Sequence, residues 1–366
     1  MGSCGFGKVV FIIRKSIEAD FKAFFTPKLE GKIEVEYVFQ ELENIPEKYK
    51  DNNREKPWGT GHALLMAKDV ISENIAEETN SIASNLDSTA TNSLDSLKQI
   101  ETLVKYGAFA KATTGDKKDF VLENENIKVT LSNKGGRVST VLLKEFQTYD
   151  SLPLFLFHED SSRFNIELTT NDGIGGTRVV NTENLYFETE DSNVKVEGKN
   201  SKSISMKLYY GSKDKYLEYK YTLTGNSYLV DFELNSVGLD NVLSKGFPYY
   251  VNWNMFTPNQ EKTIPNQQQK STIYYKYNTG DIDYIFETKY EKENMETDVD
   301  WIMFKQQYFN ATLIATEKPF ESDSDIETIE LPEGQTTNYV QGMKANITIP
   351  YDGGSKETFS MQYYFG

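Results

Sequence analysis

The sequence predicts a mainly β protein, in which a large antiparallel sandwich follows a small N-terminal α/β fragment. From about Phe120 onward, short runs of alternating hydrophobicity are separated by Gly, Asn and Asp, as in antiparallel sheets. Most of the 23 Tyr and 22 Phe lie in this part, and aromatic residues favour sheet surfaces. Residues 1–71 hold eleven basic and eleven acidic residues, so the whole net charge of −16 lies after them. This break indicates two segments of different origin.

The N-terminal segment has the order of a piece of parallel α/β sheet. Residues 8–14, KVVFIIR, are apolar and β-branched without a helical period, which predicts a buried strand. Ile17 and Phe21 then share one face of a predicted helix. The run KIEVEYVF alternates as a second strand, and residues 61–70 predict a second helix. The β-α-β-loop-α order is typical of α/β folds.

Residues 72–100 change in character and predict a linker. They are rich in Ser, Asn, Thr and acidic residues, and they cannot bury enough apolar surface to offset their ordering entropy. Leu97, Ile100 and Leu103 lie at helical spacing and predict a short helix at the end of the linker. The sequence therefore predicts three parts, residues 1–71, 72–109 and 110–366.

The composition argues against several classes of function. A net charge of −16 argues against a nucleic-acid surface and against docking on anionic lipid. Cys4 is the single cysteine, so no intramolecular disulfide is possible. No apolar run approaches the ~20 residues that span a bilayer, and no signal peptide is visible, so this chain is expected to be soluble as written. His62 and His158 lie in different parts, and we predict neither a metal site nor a cofactor.

The run PWGTGHALL, with GFGKVVFIIRKSIEADFKAFF before it, resembles the sugar nucleotidyltransferase family over residues 5–71. The resemblance implies that Gln40 and the Gly59, Thr60, Gly61 turn hold a nucleotide base. A Gln amide offers a paired donor and acceptor, and glycines let the backbone approach a ligand closely. The family's triphosphate loop and metal-binding Asp have no counterpart here, so phosphoryl transfer would lack charge stabilisation. We therefore expect a vestigial fragment, with nucleotidyl transfer as the competing hypothesis.

The run WIMFKQQYFNATLIA, residues 301–315, is the most specific motif of the chain. The spacing of Trp301, Phe304 and Tyr308 predicts a helix packed on the sandwich. Gln306 and Gln307 are then expected to make polar contacts on the other face, and Phe309 completes the motif.

This motif resembles a segment near the end of the large periplasmic domain of YidC membrane insertases, in which a Trp precedes a KQQ-[YF]-F run. The runs GAFA…FVLEN and SNKGGR resemble the Bacteroidetes branch, and the resemblance covers about residues 85–366. It implies a β-supersandwich related to galactose mutarotases, placed at the periplasmic face of the inner membrane. It also implies a non-catalytic role that supports or docks Sec translocon components or periplasmic chaperones. Membrane contact is expected only through segments absent from this chain.

Catalysis and carbohydrate binding are the alternatives for the sandwich. Mutarotation needs a general acid and a general base, usually His and Glu. Within this part, His158 stands beside Glu159 and Asp160, in a run that also reads as a solvated turn. The aromatic residues either stack on sugars or fill sheet cores. The runs YYVNWNMFTPNQ and IPNQQQKSTIYYKYN suit a protein interface, so a docking role competes with both.

Overall fold

The computed structural model describes residues 8–19, 21–22, 34–39, 101–171, 176–287, 290–331, 334 and 338–366. The chain divides into two compact units, Met1–Thr91 and Asn92–Gly366. The turn at residues 59–61, Gln40, the predicted helix at 61–70 and the predicted linker at 72–100 lie outside the described residues.

In the N-terminal unit, the two predicted strands form and pair with each other. Strand β1 is Lys8–Ile13, and strand β2 is Glu34–Phe39. They are parallel over their whole length, as a β-α-β order requires. The 3-10 turn Lys15–Ile17 follows β1 and leads into helical backbone at the next described positions. The ring of Phe21, from this helical stretch, lies 5.1 Å from that of Phe11 on β1. Phe21 therefore packs on the small sheet as its position predicts, whereas Ile17 is 39% exposed.

The described part of the C-terminal unit begins with helical residues 101–106 and the 3-10 segment Gly107–Thr113. An eight-stranded antiparallel sheet has the order β10-β11-β12-β21-β18-β17-β14-β15. Its strands are β10 Ser201–Tyr210, β11 Ser212–Thr224, β12 Leu229–Val237, β21 Lys356–Phe365, β18 Asn310–Ala315, β17 Val299–Lys305, β14 Thr272–Tyr277 and β15 Ile282–Tyr284.

Two further sheets complete this unit. The six-stranded sheet contains, in order, β16 Lys292–Asn294, β19 Glu321–Ile329, β20 Tyr339–Ile349, β13 Tyr249–Pro258, β7 Ser162–Asn171 and β8 Thr177–Asn181. The five-stranded sheet contains, in order, β6 Pro153–Phe157, β5 Arg137–Gln147, β4 Ile127–Ser132, β3 Asp119–Glu123 and β9 Val194–Lys195. The pairing of β9 with β3 is parallel. The short connecting helices are Glu159–Ser161, Thr182–Asn184 and Ile264–Gln268.

The sheets pack face to face through aromatic side chains. Trp253 of β13 stacks on Phe304 of β17, with 3.9 Å between the ring centroids, and this contact joins the six- and eight-stranded sheets. Phe157 of β6 meets Phe365 of β21 at 6.0 Å and joins the five-stranded sheet to the eight-stranded one. Alternating burial along β11 and β21 places every second residue in this core. The predicted antiparallel β-supersandwich is therefore confirmed.

Buried tyrosines show that many aromatic residues belong to the core and not to a sugar-stacking surface. The hydroxyl of Tyr221 donates to the backbone oxygen of Gly136 at 2.8 Å, and Tyr219 donates to Thr182 Oγ1 at 3.2 Å. Burial raises the pKa of the Tyr221 hydroxyl well above its usual value. The partners of these two buried hydroxyls replace the bonds to water that burial removes.

Candidate functional site at the KQQYF turn

The segment 301–315 forms a β-hairpin, so the predicted helix is wrong. Strands β17 and β18 pair antiparallel from Trp301 opposite Ile314 to Lys305 opposite Asn310. Burial follows a period of two, since Ile302, Phe304 and then Gln306 are all buried. This alternation places three side chains on one face of a strand, and that face packs on the sandwich core.

The aromatic residues of the motif have different surroundings. Phe304 is fully buried against Trp253, which confirms that it packs on the sandwich. Trp301 is half-buried. Tyr308 is 70% exposed, so the prediction that it packs against the sandwich is wrong. The residue lies in the turn, where its ring faces solvent instead of a neighbouring strand.

Gln306 holds the turn in place. Its backbone N–H donates to the carbonyl of Phe309 at 2.8 Å and closes the loop between β17 and β18. Its side chain is buried, and Nε2 donates to the backbone oxygen of Leu156 on β6 at 2.9 Å. The expected polar contacts on an outer helical face do not form at Gln306. The amide instead ties the turn to the five-stranded sheet.

We predict that Gln306→Ala lowers the free energy of unfolding by about 2 kcal/mol, because the Leu156 carbonyl loses its buried donor. Gln307→Ala is the matched control: Gln307 is half-buried and its side chain makes no hydrogen bond among the described residues. The control is expected to change stability by less than about 0.5 kcal/mol. Urea denaturation of both variants measures the difference. Equal losses would show that the Leu156 bond does not hold the turn.

Large exposed side chains lie in this turn, at the end of β5 and in the loop that follows β5. Phe146, at the end of β5, packs edge to face on Phe309 with 5.1 Å between centroids. The loop that follows β5 carries Tyr149 and Leu152, which are 59% and 57% exposed. We call Phe146, Tyr149, Leu152 and Tyr308, with the turn that carries Tyr308, the motif end. Such a set of large exposed side chains is characteristic of an interaction surface.

Hydrogen bonds fix the backbone beneath the motif end. The N–H of Tyr149 donates to the carbonyl of Gln260 at 3.0 Å, and the Gln260 side chain donates to the carbonyl of Phe155 on β6. Gln267, in the short helix Ile264–Gln268, accepts from the Gln260 N–H at 3.0 Å. The loop after β5 and the short helix are therefore joined to β6, the strand that also receives the side chain of Gln306.

The last residue of the chain lies beside the motif end. The N–H of Asn310 donates to the carbonyl of Gly366 at 2.7 Å, and the N–H of Gly366 donates back to Asn310 at 3.1 Å. Asn310 directly follows the KQQYF turn, and Gly366 directly follows β21. The turn and the end of β21 thus lie together at one end of the neighbouring strands β18 and β21.

The predicted interface runs are only partly at the surface. YYVNWNMFTPNQ forms β13, which lies between β20 and β7, and its Val251, Trp253 and Met255 are buried. This run is therefore mainly core, contrary to the prediction. In IPNQQQKSTIYYKYN, Gln267 is buried and donates to the Pro258 carbonyl at 2.8 Å, so this glutamine serves local structure.

The remaining candidate residues lie partly outside the described part of the chain. Gln40, Gly59, Thr60 and Gly61 lie outside the described residues, so their role in nucleotide binding stays a prediction. His158 is exposed and packs on the ring of Phe155, and Glu159 is paired with Lys117. Among the described residues, no group of three His, Cys, Asp or Glu is placed to hold a metal ion. The described helices include none that is long and apolar enough to cross a bilayer.

Solved structures with a similar arrangement include a putative aldose 1-epimerase from Escherichia coli K12. It is 10% identical, with a TM-score of 0.40, over 69% of this chain and 99% of that chain. A galactose mutarotase-like protein from Lactobacillus casei is 8% identical, with a TM-score of 0.43, over 68% of this chain and all of that chain. Nothing about the chemistry of this chain follows from matches at these values.

Curated relatives share far more of the sequence. Membrane protein insertase YidC of Parabacteroides distasonis is 30% identical over 273 residues, which are 74% of this chain and 41% of that protein. Membrane protein insertase YidC of Porphyromonas gingivalis is 30% identical over 279 residues, again 74% of this chain and 41% of that protein. The chain thus spans about two fifths of the length of these relatives.

The family model for the YidC periplasmic domain matches residues 120–366. This range contains the strands β3–β21, except that β3 begins at Asp119. It also contains the KQQYF turn and all four exposed side chains of the motif end. The match covers well over half of the chain, and the curated relatives carry the same family name. The chain therefore belongs to the YidC periplasmic domain family.

Proposed function

We propose that this domain is a non-catalytic docking element of a YidC-type membrane protein insertase, and that the motif end is its docking surface. Its partners would be proteins that take part in membrane insertion, namely Sec translocon components or periplasmic chaperones. The observation that carries this proposal is the set of four exposed apolar side chains around a turn held by a buried glutamine. The relatives' name, membrane protein insertase YidC, supports it.

The chemistry of the motif end suits binding to a protein. Tyr149 and Tyr308 combine a large apolar ring with a polar hydroxyl, and tyrosine is enriched in interface residues that contribute most to binding. The hydrogen bonds of Gln306 and Gln260 hold the backbone beneath these rings. A surface already fixed in position loses less conformational entropy when it binds. A partner would therefore gain apolar contact area at a low ordering cost.

The proposed location is the periplasmic face of the bacterial inner membrane. Membership of the periplasmic-domain family and the insertase relatives support this location. Their greater length leaves room for membrane segments beyond the part they share with this chain. Because the net charge is −16, direct attraction of this chain to an anionic lipid surface is unfavourable. A protein partner is therefore the better fit to the motif end than lipid.

The docking proposal predicts that the double variant Tyr149→Ser, Tyr308→Ser co-purifies about tenfold less of its Sec or chaperone partner than the wild type. Loss of two exposed rings removes apolar contact area, and a tenfold change corresponds to about 1.4 kcal/mol. Affinity capture from membranes, with partners identified by mass spectrometry and quantified by immunoblot, measures the effect.

Phe247→Ser is the matched control for this experiment. Phe247 is an exposed aromatic residue close to Tyr249, at the opposite end of β13 from Pro258 and the Gln260 linkage. It should not change partner recovery. All variants should keep the thermal stability of the wild type, because the three substituted side chains are exposed. Equal partner loss in control and double variant, or unchanged recovery in both, would contradict docking through the motif end.

A further inference from the structure

A cationic cleft lies in the C-terminal unit, although that unit belongs to a strongly acidic chain. The cleft has a volume of about 310 Å³. The charged residues among its described lining are Lys117, Lys134, Arg137, Arg163, Glu159 and Glu183. Four cations against two acids give this site a local positive charge, while the whole chain has 55 acidic and 39 basic residues.

Two guanidinium groups line the cleft. Arg137 is half-buried and donates to the backbone oxygens of Val138 and Glu159, both at 3.3 Å. Arg163 is exposed at the start of β7. The carboxylates of Glu159 and Glu183 favour the charge of Arg137, and the charge of Arg163 disfavours it. Within the described part of the chain, neither guanidinium has a carboxylate oxygen within ion-pair distance. These are two of only five arginines in the sequence.

Both acids that line the cleft already interact with a neighbouring side chain. The carboxylate of Glu159 is paired with the ammonium of Lys117. Glu183 accepts a long bond of 3.4 Å from the side chain of Asn184. Burial lowers the pKa of the Arg137 guanidinium, which reflects the cost of holding this charge away from water. An anion placed between the two guanidiniums would offset that cost.

The turn between β4 and β5 builds one wall of the cleft. In the run NKGGR, Gly135 and Gly136 have φ of +80° and +63°, so the chain reverses sharply and brings Lys134 and Arg137 to the same site. The Tyr221 hydroxyl bonds the carbonyl of Gly136 and fixes this turn. The opposite wall comes from the start of β7, which carries Arg163. Both walls are therefore held by backbone structure and not by surface side chains alone.

We infer that this cleft binds a small molecule that carries a phosphate monoester. One guanidinium satisfies a planar carboxylate with two parallel bonds, whereas a tetrahedral dianion can accept bonds from two guanidiniums and a lysine in different directions. The volume of about 310 Å³ exceeds that of one phosphate group and leaves space for a small attached moiety. This site is built from different residues than the motif end and does not depend on it.

Titration calorimetry of the full chain at constant ionic strength tests this inference, with inorganic phosphate, glycerol phosphate and acetate as probes. The wild type is expected to bind both phosphate probes, and Arg163→Gln is expected to weaken that binding about tenfold or more. Acetate should bind at least tenfold more weakly than inorganic phosphate. Lys202→Gln is the charge-matched control, because Lys202 is an exposed cation on β10 that does not line the cleft, and it should bind phosphate like the wild type.

Arg137→Gln is a second variant, and near-ultraviolet circular dichroism shows whether it keeps the native packing. Because Arg163 is exposed, Arg163→Gln is expected to fold. It therefore tests the inference even if Arg137→Gln does not fold. The inference is overturned by equal phosphate affinity in wild type and Arg163→Gln, or by equal weakening in Arg163→Gln and Lys202→Gln. Tighter binding of acetate than of phosphate would also overturn it, since it would assign the cleft to carboxylates.

Discussion

Replacing Trp253 with alanine is expected to lower the free energy of unfolding by about 4 kcal/mol, the largest effect that we predict for a single substitution. Trp253 is 2% exposed and stacks on Phe304 at 3.9 Å, so its ring joins the six- and eight-stranded sheets. Its ring also meets Tyr363 edge to face at 6.2 Å. The substitution would leave a cavity between two sheets whose backbones are fixed by hydrogen bonds. Guanidinium denaturation followed by circular dichroism measures the loss.

Trp301→Ala is the matched control for Trp253→Ala. Trp301 has the same side chain and lies on β17 with Phe304, but it is only half-buried. Its removal exposes less new apolar surface and leaves a partly solvated space, so we expect about half the loss. If both variants lost equal stability, the contact between the two sheets at Trp253 would not be the main source of the effect.

Gly136→Ala is expected to lower the free energy of unfolding by about 3 kcal/mol, for two separate reasons. The residue has φ of +63°, and an L-residue with a Cβ pays about 1–2 kcal/mol in this left-handed region. A Cβ there would also lie 2.8 Å from Cδ2 of Tyr219 and 3.1 Å from the ring of Phe187. Both rings belong to the packed core and cannot move without further cost. Thermal and urea denaturation measure the loss.

Gly246→Ala is the control that separates the backbone cost from the steric contact with the two rings. Gly246 has φ of +82°, but nothing lies within 4 Å of a Cβ built on it. This control pays only the backbone cost, so we expect a loss of about 1 kcal/mol. The excess loss in Gly136→Ala then reports the contact with the two rings. Equal losses would mean that the core near Tyr219 accommodates the methyl group, contrary to this account.

The alternating runs predict much of the sheet structure, because the period of two is a local property of the chain. KIEVEYVF gives β2 and GRVSTVLLKEF gives β5, whereas β1 is predicted from the continuous apolar run KVVFIIR. The run TFSMQYYFG gives most of β21, with Phe359, Met361 and Tyr363 buried on one face. A half-buried strand reveals its inner face in the sequence alone, since each second residue is apolar.

Residues 301–315 show where local pattern fails. Trp301, Phe304 and Tyr308 lie at spacings of three and four, which match a helix as well as they match the actual hairpin. A register shift in the pairing of β14 with β17 disturbs the alternation ahead of Trp301, because Lys276 pairs with Trp301 and Tyr277 with Val299. Such irregularities depend on the partner strand. The sequence therefore indicated an important segment but not its secondary structure.

The motif end could be recognised only from the folded structure and not from the sequence. Gln306 bonds the carbonyl of Leu156, which lies 150 residues earlier in the chain. Phe146 packs on Phe309 across a similar separation in sequence. The sequence does place the apolar Tyr149 and Leu152 beside the turn residues of the loop. This pattern is too common in proteins to identify an interaction surface. Contacts between distant segments become visible only when strand order and register are known.

Site-specific photo-crosslinking tests the docking claim most directly. A photoreactive phenylalanine analogue placed at Tyr308, which is 70% exposed, reports the proteins within reach of the motif end in living cells. We predict crosslinks at this position to a Sec translocon component or a periplasmic chaperone, and none to that protein from the same analogue at Phe247. The same adducts from both positions, or adducts of such a protein from Phe247 alone, would contradict the account.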